Sequence, residues 1–294
     1  MTRLCILSPD PAHSEYAAMW PAQRAILDSA LATGGLSADY LPWTGDDALG
    51  DYDLVMPLLA WGYHDAPADW LARIGRWAAA GVRLANPADV LGWNADKSYL
   101  VDFTLRGAPV VPTLLDPAAP ADLADRARAR FGDVPLIAKP TMSAGAHGVV
   151  LLQPGEPLPD RALGMPMLVQ PMMESVRSEG EYSLFYFDGR FSHAILKVPK
   201  SGDFRVQAQH GGRDVAVPPP AAALAAAEAV LALVAEPLLY ARVDLVGGAA
   251  GDYLLMELEL IEPQLFLERA ADGGRAFADA VAAWAVRSRA AQMA

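Results

Sequence analysis

Two apolar segments near the carboxyl end of the chain carry acidic residues where buried strands normally carry apolar ones, and this limits how the chain can fold. Segments 240–246 and 253–261 are predicted strands joined by a glycine-rich turn, with Asp244 in the first and Glu257 and Glu259 in the second. Residues two apart on a strand point to the same face, so Glu257 and Glu259 lie side by side. Pairing of the two strands would bring Asp244 to the same face.

These three carboxylates repel one another on an otherwise apolar face unless a cation neutralises them. Mg²⁺ takes oxygen ligands and is usually held by one or two carboxylates together with substrate phosphates. The pattern therefore predicts a magnesium site at Asp244, Glu257 and Glu259. In the alternative, Glu259 faces solvent on a half-exposed strand, but the residues on either side of both glutamates are leucine or methionine.

Lysine is scarce, since only four of the 23 basic residues are lysines, and two of these occupy informative positions. Lys97 lies at the start of a predicted helix, 96–106, and Lys139 ends a predicted buried strand, 134–139. An ammonium group at a strand end, beside the backbone N–H groups of a loop, suits contact with phosphate. Both lysines are therefore candidates for binding phosphate.

A loop of small residues, 143–148, follows Lys139 and contains Ser143, Gly145 and Gly148. Because few side-chain atoms intervene, its backbone can approach phosphate oxygens closely. Taken alone, such a loop is more often an ordinary hairpin turn. The chain has neither a GxxxxGK[ST] nor a GxGxxG motif, so the usual signatures of P-loop NTPases and Rossmann dehydrogenases are absent.

An apolar segment, 167–172, carries Gln170 and turns at a proline, with Met172 and Met173 beside the turn. Backbone groups there could hydrogen-bond a purine base while the methionines pack against its face. Glu181, about ten residues later, could hold ribose hydroxyls. Methionines at this spacing are also common core residues, so the segment alone favours a nucleotide site only weakly.

Cationic residues cluster in the middle of this acidic chain, and positive charge of this kind indicates an anionic substrate or a transferring phosphoryl group. The members are Lys197, Lys200, Arg205 and Arg242, with His210 nearby. Arg242 precedes Asp244 by two residues and shares its strand face. Surface salt bridges are the alternative explanation for the cluster.

The amino-terminal part of the chain alternates predicted strands with predicted helices, which is typical of parallel βαβ units. These strands are 3–8, 38–41 and 52–56, and the helices are 21–32 and 67–80. The rest is richer in strands, with a hairpin turn predicted at Asp188-Gly189. Its further strands are 110–113, 149–153, 181–187, 190–198 and 204–209, and its further helices are 122–131, 218–235 and 269–293.

Composition argues against several classes of protein. A formal net charge of −12 disfavours a nucleic-acid surface, which usually presents a basic face. Cys5 is the single cysteine, so no internal disulfide forms, as expected in a reducing cytoplasm. Neither a signal-peptide pattern nor an apolar stretch long enough to cross a bilayer is found. These features predict a cytoplasmic protein that binds neither nucleic acid nor membrane.

The order of these features resembles the ATP-grasp superfamily, in particular its glutathione-synthetase and ribosomal-protein-modifying-ligase branch. The resemblance covers about residues 87–268 and includes the two lysines, the loop, the apolar segment, Glu181, the cations and the three carboxylates. It implies an α/β and α+β fold in which two α+β subdomains grip ATP, preceded by an N-terminal parallel α/β domain. The expected division is 1–93 for the N-terminal domain, 94–178 for the small lid subdomain and 179–294 for the large subdomain with the metal site.

The resemblance also implies how ATP would be bound. The two candidate lysines would bind the α- and β-phosphates, and the loop of Ser143, Gly145 and Gly148 would be a mobile lid over the γ-phosphate. The strand end at Gln170, with its two methionines, would hold adenine, and Glu181 would hold the ribose. The three carboxylates would bind magnesium, with two ions expected.

Catalysis in the resemblance would come from cations, because Arg242 and either Lys197 or Arg205 would stabilise the transferred phosphoryl group. The sequence departs from the usual family pattern, which is Glu-x-Asn with a proline three residues after the asparagine. Here the third ligand is Glu259, and Pro263 follows four residues later. The extra negative charge could tighten magnesium binding or change how the second ion sits.

Two stretches, 193–212 and 257–268, resemble more closely a small subgroup of free-standing ATP-grasp enzymes that includes the D-cycloserine-forming ligase. The expected activity is that of an Mg²⁺- and ATP-dependent ligase. ATP would phosphorylate a carboxylate, or a carbonyl-type oxygen, of a small amino-acid-like substrate. An amine would then displace the phosphate, either from a second molecule or from the same one in a D-cycloserine-type cyclisation.

Further substrate contacts are expected from Pro9, Asp10, Trp61 and His64, which follow strand ends of the N-terminal domain. Two other functions stay open at this point: an ATP-dependent phosphotransferase that releases a phosphorylated product, and a nucleotide-binding module without turnover. The chain could also form a homodimer.

Overall fold

The computed structural model describes residues 2–45, 48–200, 205–206 and 211–293. The described strands form three sheets that follow one another along the chain: a three-stranded parallel sheet, a four-stranded sheet and a five-stranded sheet. No described helix combines the length and apolar character needed to span a membrane. The mixed architecture, with its parallel amino-terminal sheet, confirms the predicted fold class.

The amino-terminal sheet has the parallel βαβ arrangement that the alternating pattern predicts. Its strands β1 (Leu4–Ser8), β2 (Ala38–Pro42) and β3 (Leu54–Met56) pair in the order β2-β1-β3. Helix α1 (Ser14–Thr33) connects β1 to β2, and helix α2 (Pro67–Ala79) follows β3. β1 is buried along its whole length, because its alternate residues pack into different hydrophobic clusters on the two faces.

The first and last long helices differ from their predicted bounds. α1 begins at Ser14 rather than at residue 21, so Pro21 lies inside the helix instead of opening it. The predicted helix 269–293 begins later, as α8 (Arg275–Met293), because two glycines just before it have φ angles of 62° and 86°, which no right-handed helix accommodates. α8 packs against α1, so the two ends of the chain share one core.

Lys97 lies in a break between two helices rather than at the start of one. Helix α3 (Ala88–Asn94) precedes Lys97, and the helix predicted at 96–106 begins only at Tyr99, as α4 (Tyr99–Leu105). The break arises because the Lys97 N–H donates to the Thr141 carbonyl oxygen at 2.9 Å, which takes the place of an intrahelical bond. The backbone of Lys97 is thereby tied to the segment that follows Lys139.

The four-stranded sheet is antiparallel and carries one helix. Its strands β4 (Leu114–Asp116), β5 (Leu136–Pro140), β6 (Val150–Leu152) and β7 (Met167–Pro171) pair in the order β4-β7-β5-β6. Helix α5 (Leu123–Phe131) connects β4 to β5. Lys139 lies near the end of β5 and Gln170 near the end of β7, as predicted.

The predicted strand 110–113 is wrong. Within it, Val110 forms one isolated bridge, to Leu255, and the strand of this region begins afterwards, at β4. Pro109 and Pro112 explain the difference, because proline has no backbone N–H to donate to a ladder.

The five-stranded sheet is antiparallel, in the order β10-β9-β8-β11-β12. Its strands are β8 (Glu181–Phe187), β9 (Arg190–Val198), β10 (Arg213–Ala216), β11 (Tyr240–Gly247) and β12 (Tyr253–Glu259). The hairpin between β8 and β9 is confirmed: Asp188 and Gly189 have φ angles of 48° and 73°, as a tight turn of this kind requires.

Two further helices flank this sheet. Helix α6 (Ser175–Ser178) precedes it, and helix α7 (Ala221–Leu231) begins after three consecutive prolines rather than at residue 218. Of the predicted strand 204–209, the described residues are 205 and 206, which belong to no strand; the rest lies outside the described residues.

The outer edge of β12 is closed by side chains instead of by another strand. The Tyr99 hydroxyl accepts from the Leu258 N–H at 2.9 Å and donates to the Leu258 carbonyl oxygen at 3.1 Å. The Asn94 amide donates to the same oxygen at 2.8 Å and accepts from the Leu260 N–H at 2.9 Å. The Asn86 amide donates to the Leu260 carbonyl oxygen, also at 2.9 Å. The strand that carries Glu257 and Glu259 is thus fixed on both sides.

Replacing Tyr99 with Phe should lower the free energy of unfolding by about 1–3 kcal/mol, because the buried N–H of Leu258 loses its partner. The measurement is equilibrium unfolding in urea. Tyr52→Phe is the matched control: its hydroxyl bonds the exposed Asp39 carboxylate, which water can solvate, so a change within about 0.5 kcal/mol is expected. Equal losses in both variants would contradict a special role for the Tyr99 hydroxyl.

Candidate active site

One large cavity, with a volume of about 840 Å³, gathers almost all of the predicted site residues. Those that line it are Lys97, Lys139, Ser143, Gly145, Gln170, Met172, Met173, Glu181, Lys197, Arg205, Arg242, Asp244, Glu257 and Glu259. They come from β5, β7, β8, β9, β11 and β12, from the loops that follow β5, β7 and β9, and from the break before α4. The fold therefore assembles residues that lie far apart in the sequence.

A few candidates lie elsewhere. Gly148 is not part of the cavity lining; it has a φ of 73°, and a Cβ there would lie 2.9 Å from Pro140 Cγ, so the glycine allows close packing of the loop. Trp61 and His64 line the cavity, whereas Pro9 and Asp10 do not, and the Asp10 carboxylate accepts from the Ala12 N–H at 2.8 Å. Lys200 lies outside the lining, and residue 210 is outside the described residues.

The acidic residues of β11 and β12 are brought together by strand register. Asp244 pairs directly with Glu257, and Arg242 pairs with Glu259. Side chains two apart share a face, so all four lie on the side that lines the cavity. The predicted pairing of the two strands, with Asp244 beside the two glutamates, is confirmed.

Asp244 is held by a dense set of charge-assisted hydrogen bonds. The Arg242 guanidinium donates to it through Nε at 3.1 Å and Nη2 at 3.0 Å, the Ser183 hydroxyl donates to Oδ1, and Lys197 Nζ lies 3.6 Å away. Burial opposes ionisation, but Arg242 and Lys197 outweigh it and hold the pKa of Asp244 below its usual value. The residue is therefore an anion at neutral pH.

The two glutamates of β12 differ in their electrostatic balance. Lys97 Nζ lies 3.3 Å from Glu257 Oε1, and Lys97 and Lys139 lower the pKa of Glu257 despite its burial. Burial raises the pKa of Glu259 to about 7; an ion pair with Arg242 opposes this rise, and the charges of Asp244 and Glu257 add to it. Negative charge is therefore in excess beside Glu259, which favours a cation there.

Two buried lysines also line the cavity, and one of them, Lys97, contacts both Glu257 and the loop. Lys97 Nζ donates to the Ser143 carbonyl oxygen, which ties the loop to the break before α4. Burial, together with the charge of Lys97 and against the attraction of Glu257, lowers the pKa of Lys139. A second anion close to these lysines would relieve both the burial cost and their mutual repulsion.

The part of the cavity near β7 is lined almost entirely by apolar side chains. Val111, Met172, Val176, Val206 and Val246 form a hydrophobic cluster, and Met173 and Met256 pack against it. The buried Gln170 amide donates to the Thr113 hydroxyl at 2.9 Å, so it is held in the structure by another side chain. An apolar slot bounded by strand-end backbone groups suits a flat heteroaromatic ring.

Glu181 and Lys197 form a buried ion pair beside this slot. Lys197 Nζ lies 3.0 Å from Glu181 Oε1, across the antiparallel pair β8–β9, where the two residues are in register. Burial raises the pKa of Glu181 despite the lysine. The carboxylate predicted to hold a ribose is thus already partnered by one of the predicted catalytic cations.

Sequence reasoning missed several residues of the site. Ser183, which is outside the cavity lining but donates to Asp244, alternates with Glu181 on β8, and this period of two could have revealed it. His147 in the loop and Tyr16 in α1 meet the cavity only through tertiary packing. Glu262 follows β12 without any periodic relation to the other acids, so no local pattern identifies it.

The three carboxylates are the oxygen donors of the cavity that could hold a divalent cation. Among the described residues, no three His, Cys, Asp or Glu side chains stand together in a metal-holding arrangement, because Asp244, Glu257 and Glu259 are turned toward cationic side chains. Their chemistry nevertheless fits Mg²⁺, since all three are oxygen donors on one face and negative charge is in excess at Glu259.

Comparison with known proteins agrees with this geometry. A family model for the N-terminal domain of D-cycloserine synthetase DcsG matches residues 9–86. The cycloserine biosynthesis protein DcsG of Streptomyces lavendulae is 35% identical over 277 residues, which cover 86% of this chain and 90% of that protein.

Solved structures show the same relationship. The crystal structure of D-cycloserine synthetase DcsG has a TM-score of 0.82 at 30% identity and covers 97% of this chain and 99% of that one. The ATP complex of D-alanine–D-alanine ligase from Bacillus anthracis has a TM-score of 0.66 at 15% identity and covers 99% of this chain and 100% of that one, which is a likeness of fold alone.

The identity to the Streptomyces protein extends over most of both chains, and it confirms the resemblance that the ordered lysines, loop and carboxylates indicate. The chain belongs to the ATP-grasp ligases, in the family of D-cycloserine synthetase DcsG, and is an ATP-dependent carbon–nitrogen ligase.

Proposed function

We propose that the protein uses ATP and Mg²⁺ to close a ring of the D-cycloserine type from a linear amino-acid precursor. The observation that carries the proposal is the convergence, in one cavity, of two buried lysines beside a small-residue loop with three carboxylates and an arginine on paired strands. The family relationship to D-cycloserine synthetase DcsG supports the choice of product class.

The reaction proceeds in two steps. An oxygen of the substrate carboxylate attacks the γ-phosphorus of ATP, so that an acyl phosphate forms and ADP leaves. The lone pair of the substrate's own amine nitrogen then attacks the acyl carbon; the new C–N bond forms, the C–O bond to phosphate breaks, and inorganic phosphate and one proton are released. Formal hydrolysis of the C–N bond of the ring amide in D-cycloserine gives β-aminooxy-D-alanine, which we propose as the substrate.

ATP binding divides among the groups that line the cavity. Lys97 and Lys139 bind the phosphates, and the backbone of the loop at Ser143 and Gly145 covers them. The apolar slot with Gln170, Met172 and Met173 takes adenine. Glu181 takes the ribose, which requires its carboxylate to share or give up the ion pair with Lys197. Lys139 is destabilised as a buried cation in the free protein, so the phosphates supply the charge that it lacks.

The metal would be held by Asp244, Glu257 and Glu259, with two ions expected beside the triphosphate. Mg²⁺ bound there would draw negative charge from the phosphate oxygens and hold the triphosphate in place for attack.

Arg242 is the cation best placed to stabilise the transferred phosphoryl group. Asp244 fixes its guanidinium on one side and Glu259 on the other, so the charge is oriented before the substrate binds. Lys197 and Arg205 line the same cavity and add positive charge. These residues position and neutralise charge, and none of them needs to form a covalent bond.

The proposed subdomain division gives closure a structural basis. We assign 94–178 to the lid subdomain and 179–294 to the large subdomain, with 1–93 as the N-terminal domain. Closure over the acyl phosphate would exclude water that otherwise hydrolyses it.

The decisive experiment is product analysis with β-aminooxy-D-alanine, ATP and Mg²⁺. The ring product, ADP and inorganic phosphate should form in equal amounts, as followed by mass spectrometry and coupled assays. ADP with a phosphorylated product and no free phosphate would instead identify a phosphotransferase. ATP binding without ADP formation, for the full range of linear amino acids supplied, would identify a nucleotide-binding module and contradict the proposal.

Lys139→Ala should lower the rate of ADP formation by roughly 100-fold, because a preorganised charge at the phosphates is lost. The variant should keep the thermal stability of the parent protein, since burial already disfavours this charge in the free state. Arg190→Ala, which removes an exposed cation on the β8–β9 hairpin, is the control and should leave the rate unchanged. A Lys139 variant with near-normal turnover would remove this residue from the phosphate site.

Glu257→Gln should raise the Mg²⁺ concentration needed for half-maximal ADP formation by at least about tenfold, because one anionic ligand becomes neutral at constant size. The measurement is an Mg²⁺ titration at fixed ATP, with Glu228→Gln on the outer face of α7 as control. If the Mg²⁺ concentration at half-maximal ADP formation is the same in Glu257→Gln as in the parent protein, Glu257 is not a metal ligand.

A further inference from the structure

Glu262 differs from the cavity carboxylates of β8, β11 and β12 in having no ion-pair partner within the described ranges of the chain. Those four are paired: Glu181 with Lys197, Asp244 with Arg242, Glu257 with Lys97 and Glu259 with Arg242. Glu262, just beyond β12, also lines the cavity. Within the described part of the chain it has no cationic nitrogen within 4 Å.

The unpaired carboxyl group of Glu262 is stabilised in its neutral form. Burial raises the pKa of Glu262 to about 8; the charge of Glu259 adds to the rise, and the charge of Lys97, which is not in ion-pair contact, opposes it. In the free protein the carboxyl is therefore largely protonated at pH 7. A ligand that brings a positive charge would allow it to ionise and would gain a charge-assisted hydrogen bond in a water-poor site.

The walls around Glu262 also suit a cation. Tyr16, Trp61 and Tyr63 line this end of the cavity, and the rings of Tyr16 and Trp61 lie 5.8 Å apart. Aromatic faces attract ammonium groups, most strongly where water is excluded. Burial raises the pKa of Tyr16 and of Tyr63, and the charge of Glu262 adds to both rises.

His64 gives an independent indication that this end accepts a ligand. Its side chain is only 7% exposed and lines the cavity, and its buried Nδ1 has no hydrogen-bond partner among the described residues. Burial lowers the pKa of His64 against the attraction of Asp65, and the charges of His147 and Lys97 lower it further. The neutral imidazole adds no repulsion against a cation and offers an acceptor nitrogen.

We propose that Glu262 binds the α-ammonium group of the amino-acid substrate and thereby selects amino acids over carboxylic acids that lack this group. The inference rests on the proposed function for the position of the reacting carboxylate. Glu262 lies three residues beyond Glu259, so the two carboxyl groups belong to the same cavity, and three residues of chain can separate their backbones by at most roughly 10 Å. The substrate then lies with its ammonium at Glu262 and its carboxylate toward Arg242.

The test compares two substrates and three proteins. β-Aminooxy-D-alanine carries the α-ammonium, whereas 3-aminooxypropanoate keeps the carboxylate and the attacking nitrogen but lacks it. Glu262→Gln should lower kcat/KM for the first by roughly 10- to 100-fold, mainly through KM, and leave kcat/KM for the second and KM for ATP unchanged. The parent protein's preference for the amino acid should largely disappear.

Glu15→Gln is the matched control, because Glu15 is an exposed carboxylate at the rim of the same cavity, and its preference should equal that of the parent protein. Equal losses on both substrates in Glu262→Gln would indicate a merely structural role and overturn the proposal. A substrate-selective loss in Glu15→Gln instead would place the ammonium at the rim and overturn it as well.

A ligand-binding measurement tests the ammonium site independently of the proposed ring closure. If the parent protein turns over neither aminooxy compound, thermal stabilisation by D-serine and by D-glycerate is measured in the presence of ADP and Mg²⁺. A preference for D-serine that Glu262→Gln abolishes sustains the ammonium site although ring closure fails. No preference in the parent protein, or a preference that survives the substitution, overturns it.

Discussion

The site depends on the register between β11 and β12, which sets Asp244 opposite Glu257 and Arg242 opposite Glu259. Because side chains alternate along a strand, a slip of one residue would turn both glutamates away from the cavity. Arg242 bonds its strand neighbour Asp244 and the cross-strand Glu259 at once, so the ion pairs themselves favour the observed register. Tyr99 and the two asparagines bond the opposite edge of β12 and hold that register in place.

Lys97 connects β12 to parts of the chain that are distant in sequence. Its backbone N–H is bonded to Thr141, its ammonium contacts both Glu257 and the Ser143 carbonyl oxygen, and it lies in the break that separates α3 from α4. One residue therefore joins the carboxylate strand, the loop and the helical connection. A phosphate group bound to the Lys97 ammonium would compete with its contacts to Glu257 and to the Ser143 carbonyl oxygen. Ligand binding in the cavity and the position of the loop are therefore linked.

The sequence predicts most of what depends on local periodicity. The parallel amino-terminal strands, the β8–β9 hairpin and the facing acids of β11 and β12 all follow from period-two patterns and turn residues, and the structure confirms them. The break at Lys97 was not predictable, because a bond to a residue far along the chain causes it. The roles of Asn86 and Asn94 as edge caps could not be predicted from the sequence, since those roles exist only once β12 lies beside them. Glu262 and His64 each line the cavity through tertiary packing alone.

The cavity balances most of its charges internally, and that balance indicates what the ligands must supply. Lys139 is a cation that burial disfavours and Glu259 an acid whose pKa burial raises, so the lysine side favours an incoming anion and the acidic side an incoming cation. A nucleotide phosphate and a divalent ion meet these two needs together. Glu262 shares the cavity with the aromatic side chains of Tyr16, Trp61 and Tyr63, beside which neither a phosphate nor a hydrated metal ion is well accommodated. The charge missing at Glu262 is therefore that of a small organic cation, which the third participant in the reaction, the substrate, can bring.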